Sequence, residues 1–291
     1  MSIYAKNNTE ENYQKEIVAS KERILEELGY EPLCYAAPYN TLSDDAVALV
    51  RQNYYAMRQG VRADIANGFT QSLDPIVDTI YNSDTTGQKC SAGGWYNLIM
   101  ASFDTRYANY KDIPALIDDA ATNGEWLITM CHSIVEEGVR HDIEADAAEK
   151  LFVQMADYQD AGKLWVTTFG TATKYIRERQ NSEVYAYKNE NGTYVKVNMS
   201  STTEDNLPLT ADVFNHPLTV KVNVADDILK VSNLLDGEKQ YADCFVEGDN
   251  NYVYVNVIPN SGEILLTVES TKDTSETEPS DPSEPSIKVF K

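Results

Sequence analysis

The pattern of apolar residues changes at Asn181, and this change constrains the fold more than any other feature of the 291-residue chain. Before Asn181, apolar runs of about five residues alternate with stretches of about 10 to 20 helical residues, a spacing typical of βα units with parallel strands. After it, β-branched and aromatic residues alternate with polar ones between turn pairs such as NG, DG and SG. The sequence therefore predicts an α/β domain over residues 1–180 and a small all-β sandwich over 181–269.

Several helix boundaries in the α/β part can be placed from capping residues. Thr9 is a capping residue for a helix that runs to Leu28, and Gly29 is its stop signal. Ser43 precedes a second helix, whose first turn is acidic as the helix dipole favours. The other expected elements are strands at 33–37, 95–103, 126–134 and 164–169 and helices at 112–124, 144–162 and 170–180.

Two segments lack a clear periodic pattern. Residues 59–95 are polar and interrupted by glycines, which is typical of a functional loop or a decorated edge. Residues 270–291 are rich in Ser, Thr, Glu, Asp and Pro, and this composition predicts a disordered tether. Such a spacer is common in secreted bacterial surface proteins, where it leads to an anchor or another module.

The charge balance excludes several classes of partner. With 46 Asp and Glu against 24 Lys and Arg, the formal net charge is -22, so phosphates and anionic membrane surfaces are repelled. No stretch approaches the roughly 20 apolar residues of a membrane span, and the first residues lack the basic and apolar regions of an export signal. We therefore expect no nucleic acid partner and no membrane span.

The four cysteines, at positions 34, 90, 131 and 244, include no C-x-x-C pair and so indicate neither a zinc knuckle nor a redox motif. They are compatible with free thiols or with two disulfides. Free thiols are favoured because three of the four lie in or beside apolar runs, where cysteine behaves as a small hydrophobic residue.

Histidines and one turn are the first candidates for chemistry. His132 lies at the end of the strongest expected strand, where α/β folds place catalytic side chains, although a structural role fits that position equally well. His141 and His216 lie in polar or turn contexts that favour structural or solvated roles. Pro38 and Tyr39 close another expected strand, and the turn either is ordinary or presents N–H groups suited to an oxyanion hole.

Taken together, several segments resemble one enzyme family. The segments, in chain order, are SKERILEELG (20–29), YAAPYN (35–40), AMR (56–58), WLITMCHSI (126–134) and LWVTTFGTATKYIRER (164–179). Their order over residues 10–180 resembles the polysaccharide deacetylase family, the NodB-homology domains. The later segments HPLTVKV (216–222) and VIPNSGEILL (257–266) resemble the small β-domain that follows this domain in some bacterial members.

The resemblance implies a fold, a reaction and a site. The fold would be part of a distorted β/α barrel, and the reaction a metal-assisted hydrolysis of N-acetyl or O-acetyl groups on an extracellular or cell-surface polysaccharide. Pro38 and Tyr39 match the motif whose backbone N–H stabilises the oxyanion, with Tyr39 as the donor. His132 matches the histidine that acts as general acid toward the leaving amine or alcohol, and Arg58 matches a region that tunes this histidine.

The chain also departs from the family pattern. It contains no T-F-D-D-G motif, which in the family supplies the base and one metal ligand, and no H-x-x-x-H motif, which supplies two more. A zinc site needs three converging protein ligands, so we expect the divalent metal of the family, zinc, to find no complete ligand set here. The chain is then either a fragment of a longer product, which we favour, or a degenerate relative, and in both cases little turnover is expected.

Aromatic residues suggest a second hypothesis, a non-catalytic glycan-binding or surface-scaffold protein. The chain has 19 tyrosines and 3 tryptophans, and exposed aromatic rings stack on sugar faces. The alternative is core packing, which we favour for Trp95, Trp126 and Trp165 and for the alternating Tyr252 and Tyr254. A third hypothesis, a cytoplasmic protein, follows from the missing export signal but fits the tether poorly.

Overall fold

A computed structural model describes residues 9–38, 42–58, 70–71, 94–96, 98, 100–102, 113–124, 126–137 and 142–272. The chain divides into two compact units, Met1–Ile176 and Arg177–Lys291. The division falls inside a helix, four residues before the boundary at 180 that the change of pattern suggested.

The described part of the first unit contains helices and short strands. The helices are α1 (Glu10–Tyr13), continued by a π-helical segment (Gln14–Ala19), α2 (Ser20–Leu28), α3 (Asp44–Asn53), α4 (Ile113–Asn123), α5 (Ala145–Asp160) and α6 (Phe169–Gln180), which ends in the second unit. The strands are β1 (Cys34–Ala36), β2 (Ala56–Arg58), β3 (Thr70–Gln71), β4 (Ala101–Ser102), β5 (Trp126–Leu127), β6 (Thr129–Met130), β7 (Ser133–Val135) and β8 (Asp142–Glu144). None of the helices in the described ranges is long and apolar enough to cross a bilayer.

The expected helix boundaries at Thr9, Gly29 and Ser43 are confirmed. The Thr9 side chain accepts a hydrogen bond from the N–H of Asn12, and the Ser43 side chain accepts one from the N–H of Ala46. Gly29 ends α2 in the left-handed conformation, with φ of 71°. Local capping chemistry therefore determines where these helices begin and end.

Strand pairing in the first unit is mainly parallel. β1 pairs with β2, β4 with β6 and β7 with β8 in parallel, whereas β3 and β5 are antiparallel. An α/β arrangement is thus present. Among the described residues of the first unit, the named strands form pairs only, so a closed or partly closed barrel remains an expectation from the resemblance.

Three expected strands differ in the structure. The run 126–134 was expected to form one strand, but it forms three short ones, because its parts pair with different strands. The run 164–169 was expected to be a strand, but residues 164–168 form none and α6 begins at Phe169. The run 95–103 begins in a short 3₁₀ helix (Gly94–Tyr96). The periodicity of such short apolar runs does not distinguish a strand from a helix.

The second unit contains two antiparallel sheets. Its strands are β9 (Ser182–Asn189), β10 (Gly192–Met199), β11 (Leu218–Val224), β12 (Ile228–Leu235), β13 (Glu238–Asp243), β14 (Phe245–Glu247), β15 (Asn250–Val257) and β16 (Glu263–Thr271). Five strands form one sheet in the order β13-β12-β16-β10-β9, and three form the other in the order β11-β15-β14. The predicted all-β part is therefore present.

Alternating side chains build the core of the second unit. Val195 and Val197 of the larger sheet and Val222, Val253 and Val255 of the smaller one are buried. β15 contacts β10, β12 and β13, so these inward faces meet in one core. Each strand of this kind leaves its alternate residues on an outer face.

The C-terminal limit of the second unit lies slightly beyond the sequence boundary. β16 extends through Thr271, so Ser270 and Thr271 belong to a strand and not to the expected tether. The N–H of Lys272 donates a hydrogen bond to the carbonyl of Asp227 at 2.7 Å. The rest of the expected tether, 273–291, lies outside the described residues.

Candidate functional site

The ends of two neighbouring parallel strands bring Pro38 close to Arg58. Ala36 of β1 is paired with Arg58 of β2, and the N–H of Ala37 donates to the carbonyl of Arg58 at 3.0 Å. Pro38 is exposed and follows directly. Because parallel strands end at a common edge, two of the four residues singled out in the sequence lie together at the carboxyl edge of this pair.

Arg58 occupies a central position among the described strands. Besides its pairing with β1, it forms a parallel bridge with Leu98, and the N–H of Leu98 donates to the carbonyl of Met57 at 3.1 Å. The Arg58 side chain is half-buried, and burial lowers the pKa of its guanidinium from the usual value. Arginine is so strongly basic that the group stays a cation at neutral pH. This edge of the strands therefore carries a fixed positive charge.

Tyr39 lies outside the described residues, which stop at Pro38 and resume at Leu42. The position of its backbone N–H as an oxyanion donor accordingly stays a prediction.

His132 follows a different pair of parallel strands. It comes two residues after β6, which pairs with β4 through Met130 and Ser102. Met130 and Cys131 pack against two separate clusters of buried hydrophobic residues, whereas His132 is exposed. The side chain is thus presented to solvent in the two-residue link between β6 and β7. His141 lies outside the described residues.

Metal ions such as zinc are held by several His, Cys, Asp or Glu side chains that converge on one point. No three His, Cys, Asp or Glu side chains in the described ranges lie close enough together to hold an ion. The zinc site that the family resemblance implies accordingly stays an expectation, and no catalytic step through a metal is derived for the described residues.

A groove that the sequence did not reveal lies along α5. It has a volume of about 570 Å³ and combines apolar side chains, including Ile134, Phe152 and Val153, with the carboxylates Glu136 and Glu149. None of the sequence-derived site residues lines it. The solvent-facing side of a surface helix is normally polar, but α5 exposes apolar residues there. These exposed apolar residues were the sequence signal for the groove.

The outer face of the larger sheet carries tyrosines near its edge strand β9. Tyr187 pairs across the ladder with Tyr194, and Tyr185 pairs with Lys196. The rings of Tyr187 and Tyr194 stack with centroids 5.2 Å apart and planes 10° apart. Tyr185 and Tyr187 are 47% and 40% exposed. These residues were not singled out in the sequence, although the E-V-Y-A-Y alternation offered a signal.

The smaller sheet has an aromatic outer face of its own. Tyr254 is 53% exposed and stacks with Phe245 at 4.9 Å, so its expected core position is wrong. Tyr252 is buried, but it lies on this outer face beside Phe245 and beneath the ammonium of Lys221, which is 4.3 Å from its ring. The valines between the tyrosines face the core, because they pair with the buried valines of β11.

The three tryptophans fall into two groups. Trp95 is fully buried, and Trp126 packs edge-on against it and in a tilted arrangement against Phe169. Trp165 is 49% exposed and contacts the ring of Tyr175, so its expected core strand position is wrong. The run around Trp165, residues 164–168, pairs with no strand among the described residues.

Comparison with known proteins gives no match: no family model, no curated protein and no solved structure matches this chain.

Proposed function

We propose that the chain is a polysaccharide deacetylase-like hydrolase, which removes acetyl groups from a glycan by metal-assisted hydrolysis. The resemblance of its segments over residues 10–180 supports this proposal. The observation that carries it furthest is the register of β1 and β2, which pairs Ala36 with Arg58 and so brings Pro38 close to a residue whose half-buried side chain is a cation. Two residues that the resemblance assigns to the site, Pro38 and Arg58, are thus distant in sequence and close together in this fold.

The proposed roles concern the chain's own groups. The N–H of Tyr39 would stabilise the oxyanion that forms when the acetyl carbonyl is attacked, and His132 would protonate the leaving amine or alcohol. Arg58 would act through His132, because it matches a region that tunes this histidine in the family that the sequence resembles. In the family that the sequence resembles, a divalent metal, zinc, supplies the activated water; the described residues contain no group of three ligands that would hold it. Neither of the family's metal-binding motifs occurs in this sequence, so little turnover is expected from the chain alone.

The cellular setting follows the same proposal. The partner would be an acetylated polysaccharide at an extracellular or cell-surface location, and the Pro- and Ser-rich segment 273–291 would lead to a further module or anchor. Protease treatment of intact source cells tests this location: loss of the protein supports it, and full protection contradicts it.

The experiment that tests the hydrolase proposal begins with the source DNA. We would translate the region upstream of Met1 in frame, express any continuous product, and measure acetate release from acetylated glycans. An upstream Asp-Asp motif, an H-x-x-x-H motif and metal-dependent acetate release would support the proposal. A nearby stop codon with both motifs absent would contradict it. Metal-dependent release by the present chain alone would overturn the expectation of little turnover.

A second function, non-catalytic glycan binding or surface scaffolding, is favoured by one specific observation. Tyrosine rings lie on the outer face of the larger β-sheet and not in its core, and Tyr185 and Tyr187 are about half exposed. Retention of the full chain on insoluble glycan, unaffected by His132→Ala, would support this function. Loss of retention with His132→Ala would instead assign binding to the hydrolase site.

A further inference from the structure

The outer face of the larger sheet is defined here as the tyrosine face, formed by Tyr185, Tyr187, Tyr194, Lys196 and Glu263. Val195 and Val197 of β10 are fully buried, so the alternate residues of that strand point away from the core. Residues paired directly across a ladder lie on the same face, and Tyr194 pairs with both Tyr187 and Leu265. The tyrosine face therefore spans three adjacent strands, β9, β10 and β16.

Hydrogen bonds restrain the exposed tyrosines. The hydroxyl of Tyr187 donates to Glu263 Oε2 at 2.9 Å, reaching across β10 to β16. The hydroxyl of Tyr185 donates to the carboxylate of Glu183, two residues earlier on the same strand. In both cases the carboxylate partner raises the pKa of the phenol, so the hydroxyls stay protonated donors at neutral pH. The rings are thus positioned before any ligand arrives.

The chemical groups on this face suit a ligand that is apolar on one side and rich in hydroxyls at its rim. Tyr185 and Tyr187 lie about 7 Å apart along β9, since alternate strand residues are separated by two rises. Glu183 and Glu263 provide acceptors beside the rings, and Lys196 lies between them as a donor. A pyranose has an axial C–H face that packs on aromatic rings and equatorial hydroxyls that reach such groups.

Charge excludes the main competing ligand for an aromatic surface. Stacked aromatic residues also bind single-stranded nucleic acids, but those sites need a positive groove. Residues 181–272 carry 14 acidic and 6 basic side chains, so a polyanion would be repelled. A neutral ligand would not be repelled by this negative charge.

We propose that the tyrosine face binds a neutral glycan chain, with pyranose rings stacked on Tyr185 and Tyr187 and sugar hydroxyls hydrogen-bonded to Glu183, Glu263 and Lys196. This inference rests on the proposed function for the class of ligand and adds the site that holds it. The inference also explains why this aromatic surface is exposed, since an exposed apolar patch on a protein commonly marks an interaction site.

The smaller sheet provides a matched control surface. Its exposed Tyr254 is also a tyrosine on an outer sheet face, and like Tyr187 it stacks on a neighbouring ring. Lys221 lies over the rings of Phe245 and Tyr252 and pairs with Glu247, so these two neighbouring rings are covered. Neither of these rings can hold a second sugar beside Tyr254, and we therefore expect no glycan there.

The test uses the full chain and three probes: insoluble chitin, acetylated xylan and soluble oligomers of N-acetylglucosamine. We expect retention on at least one probe, unchanged at high ionic strength because the ligand is neutral. Tyr185→Ala combined with Tyr187→Ala should weaken binding at least about ten-fold. Tyr254→Ala should change it less than about two-fold. Thermal unfolding of each variant shows whether it is folded, and Tyr187→Phe, which keeps the ring, should retain most of the binding.

Three outcomes would overturn the inference: no retention of the wild-type chain, equal loss in the Tyr254→Ala variant, or full binding by the double tyrosine variant. Failure here is separable from failure of the hydrolase proposal. Acetate release by an upstream-extended product without binding at the tyrosine face would reject the face and keep the hydrolase. Binding at the tyrosine face, with no family motifs upstream, would keep the face and reject the hydrolase.

Discussion

The fully buried guanidinium of Arg177 donates a hydrogen bond to the carboxylate of Glu204 at 2.5 Å, and its other amino group lies 3.5 Å from Asp205. Arg177 belongs to the last turns of α6, and the two carboxylates belong to the loop between β10 and β11. Both carboxylates keep part of their solvent exposure, so the buried cation is paired without burying two anions completely. This contact joins helix and loop within the second unit.

Arg177→Ala is expected to lower the free energy of unfolding by about 2–4 kcal/mol, because it removes both a buried ion pair and the volume of a large side chain. Urea denaturation followed by circular dichroism measures the change. Lys188→Ala, at an exposed strand position, serves as control and should stay within about 0.5 kcal/mol of the wild type. Equal effects of the two substitutions would mean that the Arg177 pair contributes nothing specific.

Gly192→Ala is expected to destabilise the β9–β10 hairpin by about 1–3 kcal/mol. Gly192 has a φ of 137°, which residues with a Cβ rarely adopt, and an added Cβ would lie 2.8 Å from Leu265 Cδ1. Thermal unfolding measures the effect. Gly170→Ala is the matched control, since Gly170 is helical with no heavy atom within 4 Å of the added Cβ, and it should be neutral or slightly stabilising. A stable Gly192→Ala variant would contradict the strain.

The phenol of Tyr187 should titrate above the usual value of about 10, because its hydroxyl donates to Glu263. The unfolded chain deprotonates first as pH rises, so the stability linked to this group is present below pH of about 10 and is lost as pH rises through the raised pKa of the folded state. Phenolate absorbance of the wild type, compared with Glu263→Gln, measures the shift. We expect the Gln variant to titrate closer to the usual value, and identical titrations would reject the carboxylate as the cause.

His132→Ala should lower kcat for acetate release by about 10²–10⁴-fold in an active, upstream-extended product, because a general acid is removed while glycan contacts stay. KM should change little, and leaving groups that need no protonation should be affected least. His216→Gln is the control, since His216 is a part-buried turn residue of the other unit whose Nδ1 lies 3.1 Å from the carbonyl of Pro217. Loss of kcat in both variants would point to a general structural effect.

Local sequence determined the features that depend on neighbouring residues. The caps at Thr9 and Ser43 and the stop at Gly29 are where the sequence predicts them, because a cap is a hydrogen bond within one turn. The hairpin between β12 and β13 likewise follows its Asp-Gly pair, with φ of 50° at Asp236 and 80° at Gly237, the left-handed pair that a tight hairpin requires. The division into a mixed part and an all-β part is equally readable, since the two repeat periods differ.

Tertiary structure decided the features that depend on distant partners. The run 126–134 is apolar throughout, and only its separate pairings with β3, β4 and β8 divide it into three strands. The alternation at 252–255 shows that tyrosines and valines lie on opposite faces, but pairing with β11 and packing against the other sheet select the valines for the core. Likewise, the closeness of Pro38 and Arg58 arises from strand register. Sequence periodicity defines faces, whereas burial of a face requires a second surface, which only the folded chain supplies.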